Sequence, residues 1–212
     1  MRIGIIGAGH IGGNAADLWV KAGHEVMLSF SRDTRRLEAL AAQLGPRASV
    51  GTPAEAASFG EVVMLSVPWR TIGDALRQAG SLAGKTVIDT TNQFGSPAGE
   101  IPPGMTAVRF NQGRMPGAHV VKAYNTLTSG FQHSAAGRHG PDRVVMFMCG
   151  DDPGAKQVVA QLIEDSGFTP IDVGGLDDAT PMEAPRRPGA VYGEEFHEDT
   201  ARAFLAQLAA GR

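Results

Sequence analysis

Apolar runs and helical periodicities alternate along this chain. Ile3 to Ile6 is a short β-branched run, followed at once by Gly7-Ala8-Gly9-His10-Ile11-Gly12 and an amphipathic stretch from Asn14 to Lys21, which predicts strand, turn and helix. A break at Gly23-His24 precedes a strand over Glu25 to Leu28. The next helix is predicted from Asp33 to Leu44, where Leu37, Leu40, Ala41 and Leu44 recur at helical spacing and Asp33 or Ser31 supplies the cap. Val62 to Val67 and Thr86 to Asp89 read as continuous apolar strands on either side of a helix over Thr71 to Ala79. Fully apolar strands separated by helices predict a parallel sheet covered on both faces, an α/β fold of the doubly wound Rossmann type.

The pattern is less regular further on. Asn92 to Gly104 carries Pro97, Pro102 and Pro103 with several glycines and reads as a loop; a helix is predicted around Thr106 to Arg114. Strands follow at Val120 to Ala123 and Val144 to Cys149, then a helix from Pro153 to Ser166 and a strand at Thr169 to Val173. After Gly174-Gly175 the pattern weakens through Pro181, Pro185 and Pro188, until a final helix near Glu198 to Leu208. A division near 118 is expected, with a nucleotide-binding domain over 1–118 and a smaller C-terminal α/β part over 119–212.

Composition narrows the classes. With 42% hydrophobic and 19% charged residues in 212, the chain has ample material for a core and is no disordered tail. It lacks the unbroken apolar run of about 18 residues that a membrane span needs. Lys plus Arg number 19 against 22 Asp plus Glu, so no basic surplus exists for nucleic acid or an anionic membrane. The single cysteine, Cys149, sits among Val145, Met146, Phe147 and Met148 and reads as a buried strand residue. The apolar patch at the N-terminus is shorter than a signal-peptide core, so a cytoplasmic location is expected.

Glycine is abundant, 28 of 212, so three specified glycines in six positions arise by chance roughly half a time in such a chain. Position gives the motif its weight. It follows the first strand, opens the first helix and lies within a βαβ unit. Gly7 then permits the tight turn, Gly9 lets backbone approach a pyrophosphate, and Gly12 lets helix pack on strand; the helix N-terminus supplies the anion site.

The end of the second strand selects the dinucleotide. An NAD site places Asp or Glu there, about 20 residues after the glycines, to bind the ribose hydroxyls. This chain has Ser29-Phe30-Ser31-Arg32 instead, followed by Thr34, Arg35 and Arg36. A carboxylate would repel a 2′-phosphate, whereas the Ser31 hydroxyl donates to it and Arg32 pairs with it, with one of the following arginines in support. NADP is therefore expected over NAD.

The opening GAGHIG, the SFSR after the second strand, Val67-Pro68-Trp69, IDTTN at 88–92, VVKAYNTL at 120–127 and MCGDDPGAK at 148–156 come in order along nearly the whole chain. Together they resemble the NADPH-dependent reductases of the deazaflavin coenzyme F420, a family that also resembles the cytoplasmic domain of membrane ferric reductases. The resemblance implies hydride exchange between NADP(H) and F420, and a homodimer. It places Gly7, Ala8, Gly9, His10, Ile11 and Gly12 at the pyrophosphate, Ser31, Arg32 and Arg36 at the 2′-phosphate, and Val67, Pro68 and Trp69 beside the ribose and nicotinamide. Asn92 and Asn125 would line the ring site, and Thr128 or Ser129 would offer backbone groups to the carboxamide. No catalytic acid or nucleophile and no metal is implied.

Several of these residues read equally well in other ways. Trp69 and Tyr124 are also candidate core aromatics. Asn125 and Thr126 are candidate helix caps. Lys122 lies mid-strand, where period two points it away from the site toward a salt bridge or the surface. His10 is either packed on the cofactor or exposed, and no metal spacing links the histidines. A carbonyl or imine reductase would want a placed acid, for which only His133 and Tyr124 are candidates. The segment 176–197 departs from the family pattern; in it Met182, Tyr192 and Phe196 either cover the acceptor pocket or merely pack. Two alternatives to F420 thus remain: a reductase of another acceptor (flavin, quinone, ferric complex or small carbonyl), and a non-catalytic NADP sensor.

Overall fold

The computed structural model describes residues 1–210. Among these, eight strands, β1 (Arg2–Ile6), β2 (Glu25–Ser29), β3 (Ala48–Val50), β4 (Val62–Leu65), β5 (Thr86–Asp89), β6 (His119–Lys122), β7 (Val145–Gly150) and β8 (Thr169–Asp172), form one sheet in the order β3-β2-β1-β4-β5-β6-β7-β8. The helices are α1 (His10–Lys21), α2 (Thr34–Leu44), α3 (Pro53–Phe59), α4 (Ile72–Ala79), α5 (Ala107–Gly113), α6 (Ser129–Ala135), α7 (Pro153–Asp165) and α8 (Glu198–Ala210). The order and the helices on both faces are those of a Rossmann-type doubly wound sheet.

One pair departs from the parallel sheet expected. β7 runs antiparallel to β6, with Val121 opposite Gly150 and Lys122 opposite Cys149. An apolar run buried on both faces reads the same in either direction, so β7, buried along its whole length, carried no sign of this. Boundaries also shift: α1 begins at His10 rather than Asn14, β4 stops at Leu65, and β6 begins at His119.

β3 and α3 are additional to the elements expected, and α6 is the helix for which Asn125 and Thr126 were candidate caps. α3 nevertheless opens on a complete capping box: Thr52 Oγ1 accepts from the Glu55 N–H at 3.2 Å, the Glu55 carboxylate accepts from the Thr52 N–H at 2.7 Å, and Pro53 fills the first turn.

Alternation along β1 sends Ile3 and Ile5 to one face and Ile6 to the other. The first face packs on Trp19, Leu37 and Leu162 of α1, α2 and α7; the second on α3, α4 and α5 and on Met182 from the C-terminal segment. Gly4 permits the closest of these approaches, since a Cβ there would stand 2.0 Å from the Ala56 carbonyl oxygen. Cys149 is buried in the second core, and burial pushes its thiol up to about 12.

Candidate functional site

The three motif glycines differ physically. Gly7 has φ +100°, and a Cβ there would lie 2.2 Å from the Ser66 carbonyl oxygen; a Cβ at Gly12 would lie 2.2 Å from the Gly7 carbonyl oxygen. Gly9 has nothing within 4 Å of the same point. Two glycines are therefore required by packing, while the third leaves bare backbone facing open space. Gly9 is also the N-cap of α1 and provides no side-chain cap, which leaves the first-turn N–H groups of His10, Ile11 and Gly12 to an external anion. Ala8 is buried, Ile11 half-buried and His10 exposed. The cradle fits a pyrophosphate.

After β2 the chain turns through Phe30, at φ +57°, into an exposed run from Ser31 to Arg36. The cap of α2 is Asp33, whose carboxylate accepts from the Arg35 N–H at 3.1 Å; Ser31 Oγ accepts from the Asp33 N–H at 3.1 Å. The carboxylate in this run is thus engaged at the helix end. Arg32, Arg35 and Arg36 form no ion pair among the described residues, so their charge is available to a ligand.

The ends of β4, β5 and β6 lie side by side along the sheet. Pro68 is exposed there, whereas Val67 and Trp69 are buried. Trp69 donates from Nε1 to Glu100 at 2.7 Å and stacks on Phe110 with centroids 6.2 Å apart, so its indole joins the α5 side of the sheet. Asn92 and Asn125 meet across the strand ends. Asn125 Nδ2 donates to Met182 O at 2.6 Å and to Asn92 Oδ1 at 3.2 Å, which fixes the orientation of its amide. Gln93 similarly donates to the Ala184 carbonyl. Three buried oxygens here have no partner: Gln93 Oε1, Asn125 Oδ1 and Thr126 Oγ1. Unpaired buried oxygens are uncommon, and their concentration beyond two neighbouring strand ends singles this place out.

Neither Asn125 nor Thr126 caps the following helix; the cap of α6 is Thr128, which accepts from the Phe131 N–H at 3.3 Å. The Ser129 carbonyl accepts from Asn14 of α1 at 2.7 Å, which seats this turn beside the glycine loop's helix. Tyr124, at φ +60°, turns away from the strand end. Its ring meets Trp19 edge-on at 5.6 Å and its hydroxyl lies 3.0 Å from Leu162 O and 2.8 Å from Ser166 Oγ. It is a core residue. Burial pushes its phenol well above the ordinary tyrosine range. His133 is exposed on α6, and no group of three or more His, Cys, Asp or Glu suited to a metal occurs among the described residues.

The C-terminal segment supplies what the sequence did not reveal. Glu183, 4% exposed, accepts from the Ala107 and Val108 N–H groups at 2.8 and 2.9 Å and so closes the start of α5. Lys122, fully buried, donates to Thr91 O at 2.9 Å and lies 3.8 Å from the Glu183 carboxylate. These contacts bridge from 31 to 76 residues of sequence, and nothing local in the sequence announces them. Met182 is buried and Phe196 packs edge-on against Phe147 and Phe204 at 5.2 and 5.8 Å, so both are packing residues. Tyr192, half-buried, faces Phe94 at 6.3 Å.

Comparison with known proteins agrees with this geometry. Residues 2–93 match the family model described as NADP oxidoreductase, coenzyme F420-dependent. A hypothetical protein of Sinorhizobium meliloti is 28% identical with a TM-score of 0.80, the likeness covering 94% of this chain and 96% of that one. A protein of Arthrobacter sp. FB24, provisionally assigned as an F420-dependent NADP-reductase, is 27% identical with a TM-score of 0.71 over 84% of this chain and 87% of its own. The rat (Rattus norvegicus) metalloreductase STEAP3 is 30% identical over 183 residues, which is 86% of this chain; the chain spans 36% of that protein's length. The family match thus spans β1 to β5, the part of the sheet that carries the glycine loop and the ends of β4 and β5.

Proposed function

We propose that this chain is an NADPH-dependent oxidoreductase that passes a hydride between NADP(H) and a flat ring acceptor, the deazaflavin F420 being the first choice. When bound, NADP(H) supplies or receives the hydride at nicotinamide C4; the protein's part is binding, orientation and exclusion of water. The first-turn N–H groups of α1 hold the pyrophosphate, and Ser31, Arg32 and Arg36 take the 2′-phosphate. Val67 and Pro68 wall the nicotinamide end, with Asn92 and Asn125 at the adjoining strand ends and Ser129 offering its N–H to the carboxamide. In this reading 1–118 carries the dinucleotide and 119–212 the acceptor side, and the protein works as a homodimer in the cytoplasm.

The observation that carries the reading is the chemistry of the strand ends. The Asp89 carboxylate is spent on the Thr91 N–H at 2.8 Å and on Asn111 at 3.0 Å, and Tyr124 has turned into the core. Neither the carboxylic acid nor the phenol of these strand ends is left to serve as a general acid, which suits transfer between two rings better than reduction of a carbonyl or imine. Purified protein mixed with NADPH and oxidised F420 should bleach the deazaflavin absorbance. FMN and ferric citrate run in parallel; turnover with either of these and none with F420 would assign another acceptor.

A further inference from the structure

We propose that the groove between α4 and the end of α5 is a second binding site, for a small anion with an apolar body. The groove is a cavity of about 670 Å³ bounded by Trp69, Gly73, Leu76 and Arg77 on one wall and by Arg114 and Met115 on the other. That volume lies within the usual range for small-molecule pockets. It runs along the flank of α4, away from the glycine loop.

α4 has two separate faces. Ile72, Ala75 and Ala79 are buried against the sheet, while Gly73, Leu76, Arg77 and Gly80 follow one another at helical spacing along the cavity. Gly80 is explained by its backbone, with φ +76° at the helix end. Gly73 is not: it is helical, and a Cβ there meets nothing within 4 Å. Glycine weakens a helix relative to alanine, and neither turn nor close packing requires it at this position. Its effect is to leave the groove open.

The lining sets the ligand's chemistry. Leu76, Leu82 and Met115 give an apolar floor, and the Arg114 guanidinium lies over the Phe110 and Trp69 rings, 4.4 and 5.5 Å from their centroids. Glu100 is already engaged by Trp69, by Ser96 at 2.7 Å and by Arg114 at 2.8 Å. Arg77 is paired with Asp74. Arg70, exposed at the rim, has no acidic partner among the described residues. Free charge at the groove is therefore positive, above an apolar and aromatic base, which suits a carboxylate, sulfonate or phosphate on a hydrophobic body. Such a group belongs either to an anionic side chain of the acceptor or to a separate effector.

The test uses the full chain with its dinucleotide site saturated with NADP+, so that the probe, anilinonaphthalene sulfonate, is kept out of that site. One-to-one binding is expected by fluorescence titration. Gly73→Phe, which fills the groove, and the surface pair Arg70→Glu with Arg77→Glu should each weaken it at least about tenfold with NADP+ affinity unchanged. If Gly73→Phe does not fold, the exposed arginine pair still decides the matter. Absence of one-to-one binding, or equal binding by the variants, overturns the site; so does a Gly73→Phe variant that turns a dimer into a monomer, since the groove would then be a subunit contact. In steady-state assays, competition of the probe with the acceptor marks the acceptor's own anionic tail, and a change in kcat alone marks an effector. The binding result stands whichever acceptor the enzyme uses, because the titration needs no turnover.

Discussion

Asn92 and Asn125 hold each other across the ends of β5 and β6: the Asn92 side-chain amide donates to the Asn125 main-chain carbonyl at 3.0 Å, and the Asn125 amide donates back to Asn92 Oδ1 at 3.2 Å. The same Asn125 amide reaches Met182 O at 2.6 Å, so one side chain joins two strand ends to the C-terminal segment. Two partners that can only accept make the role specific to a donor.

Asn125→Asp removes that donor and faces a carboxylate with two oxygens. The cost of such a buried conflict is about 2–4 kcal/mol. A lowered denaturation midpoint is expected, together with faster proteolysis within 184–193 as the segment loosens. An unchanged midpoint with unchanged proteolysis would show that the segment is held elsewhere.

Arg32→Ala tests the dinucleotide choice. A charge-assisted contact to the 2′-phosphate, partly screened at this exposed position, is worth about 1–2 kcal/mol, or roughly tenfold in KM. KM for NADPH should rise by that factor while KM for NADH scarcely moves, and Arg36→Ala should act the same way more weakly. Equal damage with both dinucleotides would remove Arg32 from the 2′-phosphate.

The parts of the molecule that were legible in the sequence are those whose cause is local. The Ile3 to Ile6 run followed by the glycines announces strand, turn and helix because the demands at Gly7, with φ +100°, and at Gly12, against the Gly7 carbonyl, are local. Asp33 was one of two residues expected to cap α2, and it does so. α3 carries a local signal in Thr52, Pro53 and Glu55, but its apolar pattern is too short to mark a helix by periodicity. The direction of β7 was not legible, since burial on both faces erases any polarity of pattern. Nor was the role of Glu183, whose partners Ala107, Val108 and Lys122 lie far back in the chain; only the folded sheet brings a carboxylate to an ammonium and a helix start at once.

The Arg109 clasp ties acid pH to stability. Arg109 forks onto Asp177 with two contacts of 2.8 Å and reaches Asp151 at 2.6 Å. Hydrogen bonds from Arg109 hold the Asp177 carboxyl below its ordinary value; at Asp151 burial pushes upward, but Arg109 and the Leu176 N–H outweigh it and the net direction is also down. Carboxyls depressed in the folded state stabilise it above the unfolded value of about 3.9 and lose that contribution as pH falls through the folded values. Melting temperature should therefore fall below about pH 4, and Arg109→Ala should flatten that acid limb while lowering stability at neutral pH. An acid limb of undiminished slope in the variant would place the titrating groups elsewhere.

Gly9→Ala and Gly12→Ala separate folding from binding within one loop. A methyl at Gly12 would stand 2.2 Å from the Gly7 carbonyl oxygen, an overlap that backbone must move to relieve, with a cost of several kcal/mol expected in thermal unfolding. A methyl at Gly9 meets no protein atom within 4 Å, so Gly9→Ala should fold with near-normal stability. Its methyl would instead occupy the space through which a pyrophosphate approaches the α1 amides, and NADPH affinity should fall at least tenfold by fluorescence titration. The two variants thus predict opposite patterns, one unstable and the other stable but unable to bind. A Gly9→Ala protein with normal NADPH affinity would mean that the dinucleotide does not enter over this loop.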